Sequence, residues 1–464
     1  MQAAQNELVT RIGPGTPCGE LLRRYWQPAA LLDEFDPALD PAMHQRPLKA
    51  VRLLGQDLVL FRDGGGHWGL LDRDCPHRGA DLKFARHEAD GIRCPFHGWK
   101  FAADGRCLET PAEPSINGVA STLCRRVRQR SYPVRVQSGV IFAYLGPEGS
   151  TPPELPAFDC FTAPATHSFA FKGLWHCNWL QAVEVGIDPA HPSFLHRMLD
   201  DGDGSEAAAF GRQFRAASVG AVHGQRWPMT RVMREFCSPE IRHEEVAPGL
   251  TRLTTLRRID DELTHVRVTH SVFPQTFVIP LSETVTITQM HVPVDDTRTY
   301  WVSFFTSFAG PLDKETMRRQ RLAGVSLPDY VPKKGRHDDW GFNAEEQRTR
   351  TYLGLGEEDI NLHDQWAVES MGAIQDRTRE HLGTSDKVIM ANRRLLLKAI
   401  ETVQSGGTPP MVLAAEAAAA LHGPDTMDCI APAAGWQAFW QQAAAARRAG
   451  AAWLRPAQPA QTTA

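Results

Sequence analysis

Two cysteine–histidine pairs are the residues whose types and spacing point most directly to chemistry. Cys75 and His77 lie in the stretch CPHRGADL, and after sixteen intervening residues Cys94 and His97 lie in CPFHGW. Each pair offers one thiolate and one imidazole, which are ligands that iron and zinc accept. Proline and glycine flank both pairs, so each pair is expected in a stiff turn. The pattern therefore predicts two facing turns that together supply four metal ligands.

The spacing of these ligands favours a Rieske [2Fe–2S] cluster, in which two cysteines hold one iron and two histidines hold the other. Cys75 and Cys94 would take the first iron, and His77 and His97 the second. A zinc site is the alternative, because zinc binds the same ligand types. Zinc sites, however, favour closely spaced cysteine pairs and closely spaced histidine pairs instead of two mixed pairs.

A second group of candidate ligands lies in the stretch EVGIDPAHPSFLH, which contains Asp188, His191 and His196. Residues five apart on a regular helix differ by about 140° around its axis, so the two histidines could not share one metal there. Pro189 and Pro192 each remove a backbone donor at this point, and the helix must therefore distort. Such a distortion could turn both imidazoles toward the same point. The stretch therefore predicts a mononuclear metal site.

An open iron site of this kind needs one more carboxylate ligand, together with free positions for O2. The stretch INLHDQWAVESMGAIQDRTREHLGTSD (360–386) offers Asp364 and Asp376, with His363 and Glu369 close by. The chemistry of these residues does not choose between the two aspartates, and both are candidates.

Length and composition describe the kind of chain that must position these residues. The 464 residues carry a net charge of −4 and are 42% hydrophobic, which is typical of a globular protein of two or three domains. The sequence lacks the stripe of basic residues that is typical of nucleic-acid-binding proteins, and it contains no apolar run long enough to cross a membrane. The N-terminus shows no secretory signal, and nine cysteines are too few for a disulfide scaffold. We therefore expect a cytoplasmic protein without a membrane or nucleic-acid partner.

Changes in hydrophobic periodicity divide the chain into three predicted regions. Residues 1–45 are predicted to be mainly helical, and residues 46–150 alternate with a period of two, which is typical of a small all-β domain. A stretch rich in proline and glycine (147–158) ends that domain. Residues 151–464 combine strand-like runs with helices and are predicted to form an antiparallel sheet with flanking helices. The alanine-rich tail (412–454) is predicted to be amphipathic surface helix or, alternatively, a low-complexity appendage.

The whole chain resembles the large (alpha) subunit of the Rieske non-heme iron aromatic-ring-hydroxylating oxygenases. It is most similar to the phthalate dioxygenase branch, which includes phenoxybenzoate dioxygenases and aryl O-demethylases. The resemblance rests on RIGPGTPCGELLRRYWQPAAL, CPHRGADL, RCPFHGWKF, NWLQAVEVGIDPAHPSFLH and ESMGAIQDRTREHLGTSD. It implies an α+β fold in which an all-β Rieske domain precedes a helix-grip-like catalytic domain with an antiparallel sheet.

The resemblance also implies which aspartate is the third iron ligand. In this branch the ligand precedes the glutamate of the Glu-Ser-(Met/Gln)-Gly element by five residues, and counting back from Glu369 arrives at Asp364. One departure is His363, because relatives commonly carry glutamine there. Asp376 stays as the alternative ligand and is otherwise expected to pair with Arg377 or Arg379.

A bridging role for Asp188 follows from the same resemblance. Its side chain is expected to hydrogen-bond the iron ligand His191 and a Rieske histidine of a neighbouring subunit. A carboxylate between two metal-bound imidazoles would orient both of them and give electrons a short path. The resemblance therefore implies a ring of subunits, either a homotrimer or stacked trimers.

The implied activity is that of a terminal oxygenase in aromatic compound catabolism. The chain has no Gly-x-Gly-x-x-Gly after a strand and no plant-type four-cysteine cluster, so NAD(P)H must be oxidised on a separate partner. The resemblance implies that this partner is a flavin and iron–sulfur reductase. The expected reaction is ring dihydroxylation of an aromatic carboxylate by O2, a dioxygenase activity, with Arg226, Arg231 and Arg234 as candidate carboxylate contacts. Demethylation of an aryl ether, a monooxygenase activity, is one alternative. A Rieske electron carrier, with two irons per chain instead of three, is another.

Overall fold

The computed structural model of the chain describes residues 1–114, 121–201, 218–356 and 359–454. The chain divides into two compact units. The first, here called the β unit, contains Arg11–Leu155 and Val292–Asp296. The second, here called the α+β unit, contains Met1–Thr10, Pro156–His291 and Thr297–Ala464.

The described helices of the β unit have four to six residues, whereas those of the α+β unit range from four to eighteen. In chain order the helices are α1 (Ala3–Thr10), α2 (Pro17–Leu22), α3 (Ala42–Gln45), α4 (Leu123–Arg126), α5 (Asp159–Thr162), α6 (Trp179–Ile187), α7 (Met229–Glu235), α8 (Lys314–Ala323), α9 (Ala344–Thr349), α10 (Ile360–Ser370), α11 (Lys387–Gln404), α12 (Ala415–Ala420) and α13 (Trp436–Gly450).

The strands follow the same division. Those of the β unit are β1 (Trp26–Leu31), β2 (Leu48–Leu53), β3 (Gln56–Arg62), β4 (Trp68–Asp72), β5 (Arg86–Glu88), β6 (Gly91–Arg93), β7 (Lys100–Phe101), β8 (Cys107–Glu109), β9 (Val134–Gln137) and β10 (Val140–Tyr144). The remaining strands are β11 (Ser168–Trp175), β12 (Ser218–Val222), β13 (Gln225–Pro228), β14 (Glu240–Ala247), β15 (Leu250–Arg258), β16 (Leu263–Val272), β17 (Thr276–Pro280), β18 (Val285–Asp295), β19 (Arg298–Ser307), β20 (Val325–Ser326), β21 (Val331–Pro332) and β22 (Met427–Pro432).

The β unit is built from small antiparallel sheets, as the period of two predicts. Their strand orders are β2-β3-β4, β5-β6-β7-β8 and β1-β10-β9. Between them lies a core in which Val59, Phe61 and Phe101 are fully buried. Cys75 and Cys94 belong to the same core, so the packing of the sheets fixes the backbone on which both candidate thiolates are carried.

Strand β1 differs from the helical prediction for residues 1–45. All six of its residues are buried, and it pairs antiparallel with β10, with Trp26 opposite Tyr144. Pro28 lies inside this stretch and would interrupt a helix there, whereas a strand with a register shift accommodates it. The rest of the segment is also divided, because Met1–Thr10 belongs to the α+β unit and the residues from Arg11 onward belong to the β unit.

The α+β unit contains a large sheet with the strand order β11-β19-β18-β17-β16-β15-β14, and β22 pairs with β16. The predicted antiparallel sheet with flanking helices is therefore confirmed. The alanine-rich tail contributes β22, in which Cys429 lies opposite Val266. Trp440 and Ala444 of α13 are buried in the same hydrophobic cluster. The tail is thus part of the core, and the alternative of a low-complexity appendage is wrong.

Helices α6 and α10 carry the second group of candidate ligands, and buried hydrogen bonds hold them together. The side-chain amide of Gln181 on α6 donates to the carbonyls of Val368 (2.8 Å) and Gly372 (3.0 Å) at the end of α10. The carboxylate of Glu369 accepts from the backbone N–H of His176 at 2.9 Å. These bonds satisfy buried polar groups and fix the distance between the two helices.

None of the helices in the described ranges is long and apolar enough to cross a membrane.

Candidate metal centres and substrate cavity

Cys75 and Cys94 begin two turns of the same shape in the β unit. In each turn the cysteine carbonyl accepts a hydrogen bond from the glycine four residues later, Gly79 at 2.8 Å and Gly98 at 3.0 Å. Both glycines have a positive φ, +73° and +74°, which residues with a side chain rarely adopt. The repeated Cys-Pro-x-x-Gly pattern therefore encodes one turn geometry twice.

The four candidate ligands of these turns fit an iron–sulfur cluster. Cys75 and Cys94 are each only 2% exposed, and burial raises the pKa of the Cys75 thiol to about 11. The rings of His77 and His97 lie 4.5 Å apart, and His77 stacks on Trp99. Nδ1 of His97 is buried and has no hydrogen-bond partner among the described residues. A buried ring nitrogen without a partner is costly unless it binds a metal, so the site suits a cluster.

His191, His196 and Asp364 meet in the α+β unit. Oδ1 of Asp364 lies 3.2 Å from Nε2 of His196 and 3.7 Å from Nε2 of His191. The three ligand atoms all lie within 4.8 Å of one another. Oδ1 of Asp364 is buried and accepts no hydrogen bond from any described residue. Two imidazoles and one carboxylate that converge on one point form the donor set of an open Fe(II) site.

The backbone around Asp188 brings the two histidines together. Helix α6 ends at Ile187, and Oδ1 of Asp188 accepts from the backbone N–H of Ala190 at 2.8 Å. A 3-10 turn begins at His191. The helix break predicted from the two prolines is therefore present, and it lets the rings of His191 and His196 approach to 5.1 Å between centroids.

The main chain of Asp188, and not its carboxylate, holds His191. Nδ1 of His191 lies 2.8 Å from the Asp188 carbonyl oxygen and 3.9 Å from the nearer carboxylate oxygen. A carbonyl oxygen only accepts, so Nδ1 must carry the hydrogen, and the lone pair of Nε2 is available to a metal. The carboxylate contact implied by the resemblance is thus replaced, on this ligand, by a backbone contact.

His363 orients His196 through a chain of hydrogen bonds that the sequence does not reveal. Nε2 of His363 donates to the carbonyl of Gly356 at 2.6 Å, so Nδ1 of His363 carries a lone pair. That nitrogen accepts from Nδ1–H of His196 at 3.4 Å. The lone pair of Nε2 on His196 is then directed to the metal site. The only signal in the sequence is the position of His363 directly before Asp364.

Asp376, the other candidate ligand, lies outside this group. Its carboxylate accepts from the backbone N–H of Thr378 at 3.0 Å and from the hydroxyl at 2.6 Å, and these bonds lower its pKa. Of the two expected partners, Arg377 is not one, because its guanidinium binds Glu184 at 3.0 Å. The charge of Arg379, in contrast, contributes to the lower pKa of Asp376. Asp376 thus closes a local turn and is not part of the metal site.

Burial determines the charge state of the candidate iron ligands. Desolvation raises the pKa of Asp364 to about 6 and lowers the pKa of His191 and of His196. The imidazoles are therefore neutral, which is the form that binds metal. A divalent cation at this point would stabilise the buried carboxylate as an anion.

A cavity of about 130 Å³ adjoins the three ligands. Much of its wall is apolar and is formed by Val185, Ile187, Phe277, Ile279, Ile287 and Phe305. Gln289, Ser303 and Asn361 add polar groups. An engineered apolar cavity of about 150 Å³ binds benzene, so a space of this size accepts one aromatic ring beside the ligands.

The arginines predicted to contact a substrate carboxylate are elsewhere. Arg226 is largely exposed, and Arg231 and Arg234 form ion pairs with a surface carboxylate; none of the three lines the cavity. The cavity is instead lined by Arg267 and Arg321, on β16 and α8. The structure therefore does not bring the three predicted arginines to the cavity, because they lie on β13 and α7, whose described residues do not line it.

Comparison with known proteins agrees with this geometry. The family model described as "Rieske [2Fe-2S] domain" matches residues 38–130, and the family model described as "LigXa C-terminal domain like" matches residues 143–449. The phthalate 4,5-dioxygenase oxygenase subunit of Pseudomonas putida is 32% identical over 416 residues, which cover 87% of each chain. The chain belongs to the Rieske oxygenase family.

Other relatives of this Rieske oxygenase extend the comparison. The 5,5'-dehydrodivanillate O-demethylase oxygenase subunit of Sphingobium sp. (strain NBRC 103272 / SYK-6) is 32% identical, over 89% of this chain and 84% of its own. The solved structure of dicamba monooxygenase bound to 3,6-dichlorosalicylic acid shares the fold, with a TM-score of 0.54 and 17% identity over 83% of this chain and 98% of the other.

Membership of this family confirms the predicted enzyme class and cofactors, a Rieske [2Fe–2S] cluster and a mononuclear iron. The alternatives of a zinc protein and of an electron carrier are therefore wrong, since neither accounts for the match over residues 143–449. An oxygenase subunit also implies a separate protein that supplies its electrons.

Proposed function

We propose that this Rieske oxygenase is a terminal oxygenase component that dihydroxylates the ring of a small aromatic carboxylate. Electrons come from NAD(P)H through a separate flavin and iron–sulfur reductase, and O2 is the oxidant. The observation that carries the proposal is the cavity, which places apolar walls and two arginines beside a two-histidine, one-carboxylate site. The phthalate 4,5-dioxygenase relative supports the same substrate class.

The ligand assignment is part of the proposal. Cys75 and Cys94 hold one iron of the cluster, and His77 and His97 hold the other. His191, His196 and Asp364 hold the mononuclear Fe(II). The buried and unpartnered Nδ1 of His97 and Oδ1 of Asp364 support this assignment, because each is aimed into its own site without a protein partner among the described residues.

When bound, the mononuclear iron supplies open coordination positions at which O2 is reduced and the substrate is oxidised. The residues of the chain prepare that chemistry. The Asp188 carbonyl and His363 set the tautomers of the two histidine ligands. Phe277, Ile287 and Phe305 exclude water and hold the aromatic ring against the site.

We also propose that Asp188 links the mononuclear site, through its carbonyl on His191, to the Rieske cluster of a neighbouring subunit, through its carboxylate, in a homotrimer or in stacked trimers. Its carboxylate is 21% exposed and lines a surface pocket together with His191 and exposed apolar residues such as Phe194 and Tyr352. In the β unit, Phe96 beside His97 is 56% exposed. A ring of subunits would cover both apolar surfaces.

We propose the domain division expected from the sequence, with a Rieske domain (46–150), a catalytic domain (151–464) and an N-terminal segment (1–45), of which Met1–Thr10 joins the α+β unit and the rest joins the β unit. A cytoplasmic location and a role in aromatic compound catabolism belong to the same proposal. All nine cysteines are free, which suits a reducing compartment.

O-demethylation of an aryl ether is the second candidate reaction, supported by the O-demethylase relative. Both reactions use the same iron site and differ in which substrate carbon faces it. Dihydroxylation adds both oxygen atoms of O2 to the ring, whereas demethylation releases the methyl carbon as formaldehyde.

The test is product analysis with purified holoenzyme, an NADH-dependent reductase and 18O2. The panel contains benzoate, phthalate and methoxybenzoates. We expect about three irons per chain, the count from the cluster and one mononuclear site, and a ring diol with two labelled oxygens. Formaldehyde without a diol would establish demethylation instead. A protein with two irons and no oxygenated product from any substrate would contradict the proposal.

A further inference from the structure

Two cavities of the α+β unit share a wall. The inner one adjoins the iron ligands, and an outer one of about 770 Å³ lies next to it. Three residues, Arg321, Asp359 and Asn361, line both. They belong to the end of α8 and the beginning of α10. These residues thus separate the reaction cavity from the outer space.

An ion pair forms the centre of this wall. Nη1 of Arg321 lies 3.2 Å from Oδ1 of Asp359. The Arg321 guanidinium lies over two aromatic rings, with Cζ at 5.9 Å from the centroid of Trp301 and 5.6 Å from that of Phe305. Trp301 lines the outer cavity and Phe305 lines the inner one, so the guanidinium stands between the two spaces.

The two arginines of the inner cavity are held differently. Arg267 pairs with Asp428, whose side chain is only 7% exposed. Breaking that pair would leave the buried carboxylate with only the neutral imidazole of His265, at 2.5 Å, as a partner, which is costly. The Asp359 side chain is 47% exposed, whereas that of Arg321 is 13% exposed. Asp359 can therefore release Arg321 and become hydrated, so Arg321 is the cation that can change partners.

Asp359 also sets the distance between this wall and the iron site. It caps the N-terminus of α10, where its carboxylate accepts from the backbone N–H of Asn361 at 3.1 Å. Asp364 follows five residues later, which corresponds to about 7.5 Å along a helix axis. One aromatic ring with its carboxyl group spans such a distance. A carboxylate at Arg321 would thus leave the ring beside the iron ligands.

The described residues that line the outer cavity carry more basic than acidic side chains. Its described lining contains four basic side chains, those of Arg321, Lys333, Lys334 and Arg350, and two acidic ones, those of Glu346 and Asp359. A concave surface with an excess of one charge raises the local concentration of small ions of the opposite charge.

We propose that the Arg321–Asp359 pair is the substrate entrance, and that Arg321 exchanges Asp359 for the carboxylate of an incoming aromatic acid. The proposal rests on the proposed function and names the residue that selects its substrate. A guanidinium binds a carboxylate through two parallel hydrogen bonds, so the exchange replaces one carboxylate partner with another. The ring then enters the apolar part of the inner cavity.

Equilibrium binding to the holoenzyme tests the exchange, with benzoate and the uncharged benzamide as probes of nearly equal shape. Arg321→Gln should weaken benzoate binding by about tenfold to a hundredfold, since it removes hydrogen bonds to a charged group. Asp359→Asn should strengthen benzoate binding by about threefold or more, because the competing charge is lost. Asparagine caps a helix as well as aspartate does, so α10 should be retained.

Two further variants make the measurement specific. The double variant Arg321→Gln/Asp359→Asn should bind benzoate as weakly as Arg321→Gln alone, since direct recognition needs the guanidinium. Arg226→Gln, which changes an exposed arginine outside both cavities, is the matched control and should leave benzoate binding unchanged. Benzamide binding should stay within about twofold in all variants, because the probe carries no charge for Arg321 to pair with.

Four results would each contradict the proposal that this pair is the substrate entrance. They are wild-type affinity for benzoate in Arg321→Gln, weakened binding in Asp359→Asn, recovery of binding in the double variant, or a wild-type enzyme that binds benzoate no better than benzamide. Failure of the proposed function has a different signature, namely absent mononuclear iron or no oxygenated product from any aromatic substrate. If the enzyme is an active oxygenase but its benzoate affinity does not change when Arg321 is replaced, the proposed entrance is wrong while the proposed function stands.

Discussion

Replacement of His363 by leucine should weaken iron binding at the mononuclear site. The change removes the acceptor of Nδ1–H on His196 and the donor to the Gly356 carbonyl. His196 is 4% exposed, so water would not fully replace the lost partner. A buried polar group without a partner costs about 1–3 kcal/mol.

The expected effect on metal affinity follows from that cost. A loss of about 1.4–2.8 kcal/mol corresponds to a dissociation constant for Fe(II) that is about 10–100 times higher. Loss of a partner of a ligating histidine commonly has an effect of this size. His363→Gln is the matched control, because the glutamine amide can donate to Gly356 while its oxygen accepts from His196. That variant should stay within about threefold of the wild-type affinity.

Competition with an Fe(II) chelator measures the dissociation constant, and a cobalt-substituted site gives a ligand-field spectrum as a second readout. The visible spectrum of the Rieske cluster serves as an internal control for folding and should be unchanged in both variants. Wild-type iron affinity in His363→Leu would refute the positioning role. A loss in His363→Gln as large as that in His363→Leu would show that a histidine is required for another reason.

Three further variants test the assigned ligands and the link between the centres. Cys75→Ser should remove the red-brown colour, since thiolates hold the cluster and supply its absorption; a coloured variant would contradict the assignment. Asp364→Ala and His191→Ala should lose mononuclear iron and oxygenation but keep the Rieske spectrum, while Asp376→Ala should keep its iron. If metal analysis finds iron in Asp364→Ala but not in Asp376→Ala, the assignment of Asp364 as a ligand is wrong. Asp188→Asn should retain iron, because the backbone carbonyl holds His191, yet slow the single-turnover oxidation of the reduced cluster about tenfold or more. A rate near that of the wild type would refute the proposed bridge.

The chemistry of the centres could be predicted from the sequence because it is local. A cysteine and a histidine two or three residues apart necessarily lie in one turn, and proline and glycine restrict the shape of that turn. The break after α6 was predictable for the same reason, since Pro189 and Pro192 act on the backbone at their own positions. Four strands of the large sheet, β15, β16, β18 and β19, were predictable from their alternation, which indicates one buried face.

Strands β1 and β22 were not predictable in this way. The alanine-rich region around β22 has helical propensity, and the stretch before β1 has helical periodicity. Those flanking stretches do form helices, namely α2, α12 and α13, but β1 and β22 themselves are strands because a distant edge offers hydrogen bonds, from β10 to β1 and from β16 to β22. Local propensity is weak, and pairing with buried partners overrides it.

The sequence by itself determined which types of residue bind the metals. The tertiary structure decided which individual aspartates, arginines and histidines lie at the site. Asp364 and Asp376 are chemically equal, but Asp364 lies on α10 where that helix meets the two histidines, whereas Asp376 lies in a turn beyond the end of α10. The same holds for Arg321, which no spacing connects to the ligands, and for His363, whose role depends on a carbonyl at Gly356. Ligand chemistry is a property of side chains, whereas convergence depends on the packing of helices and strands that are far apart in the chain.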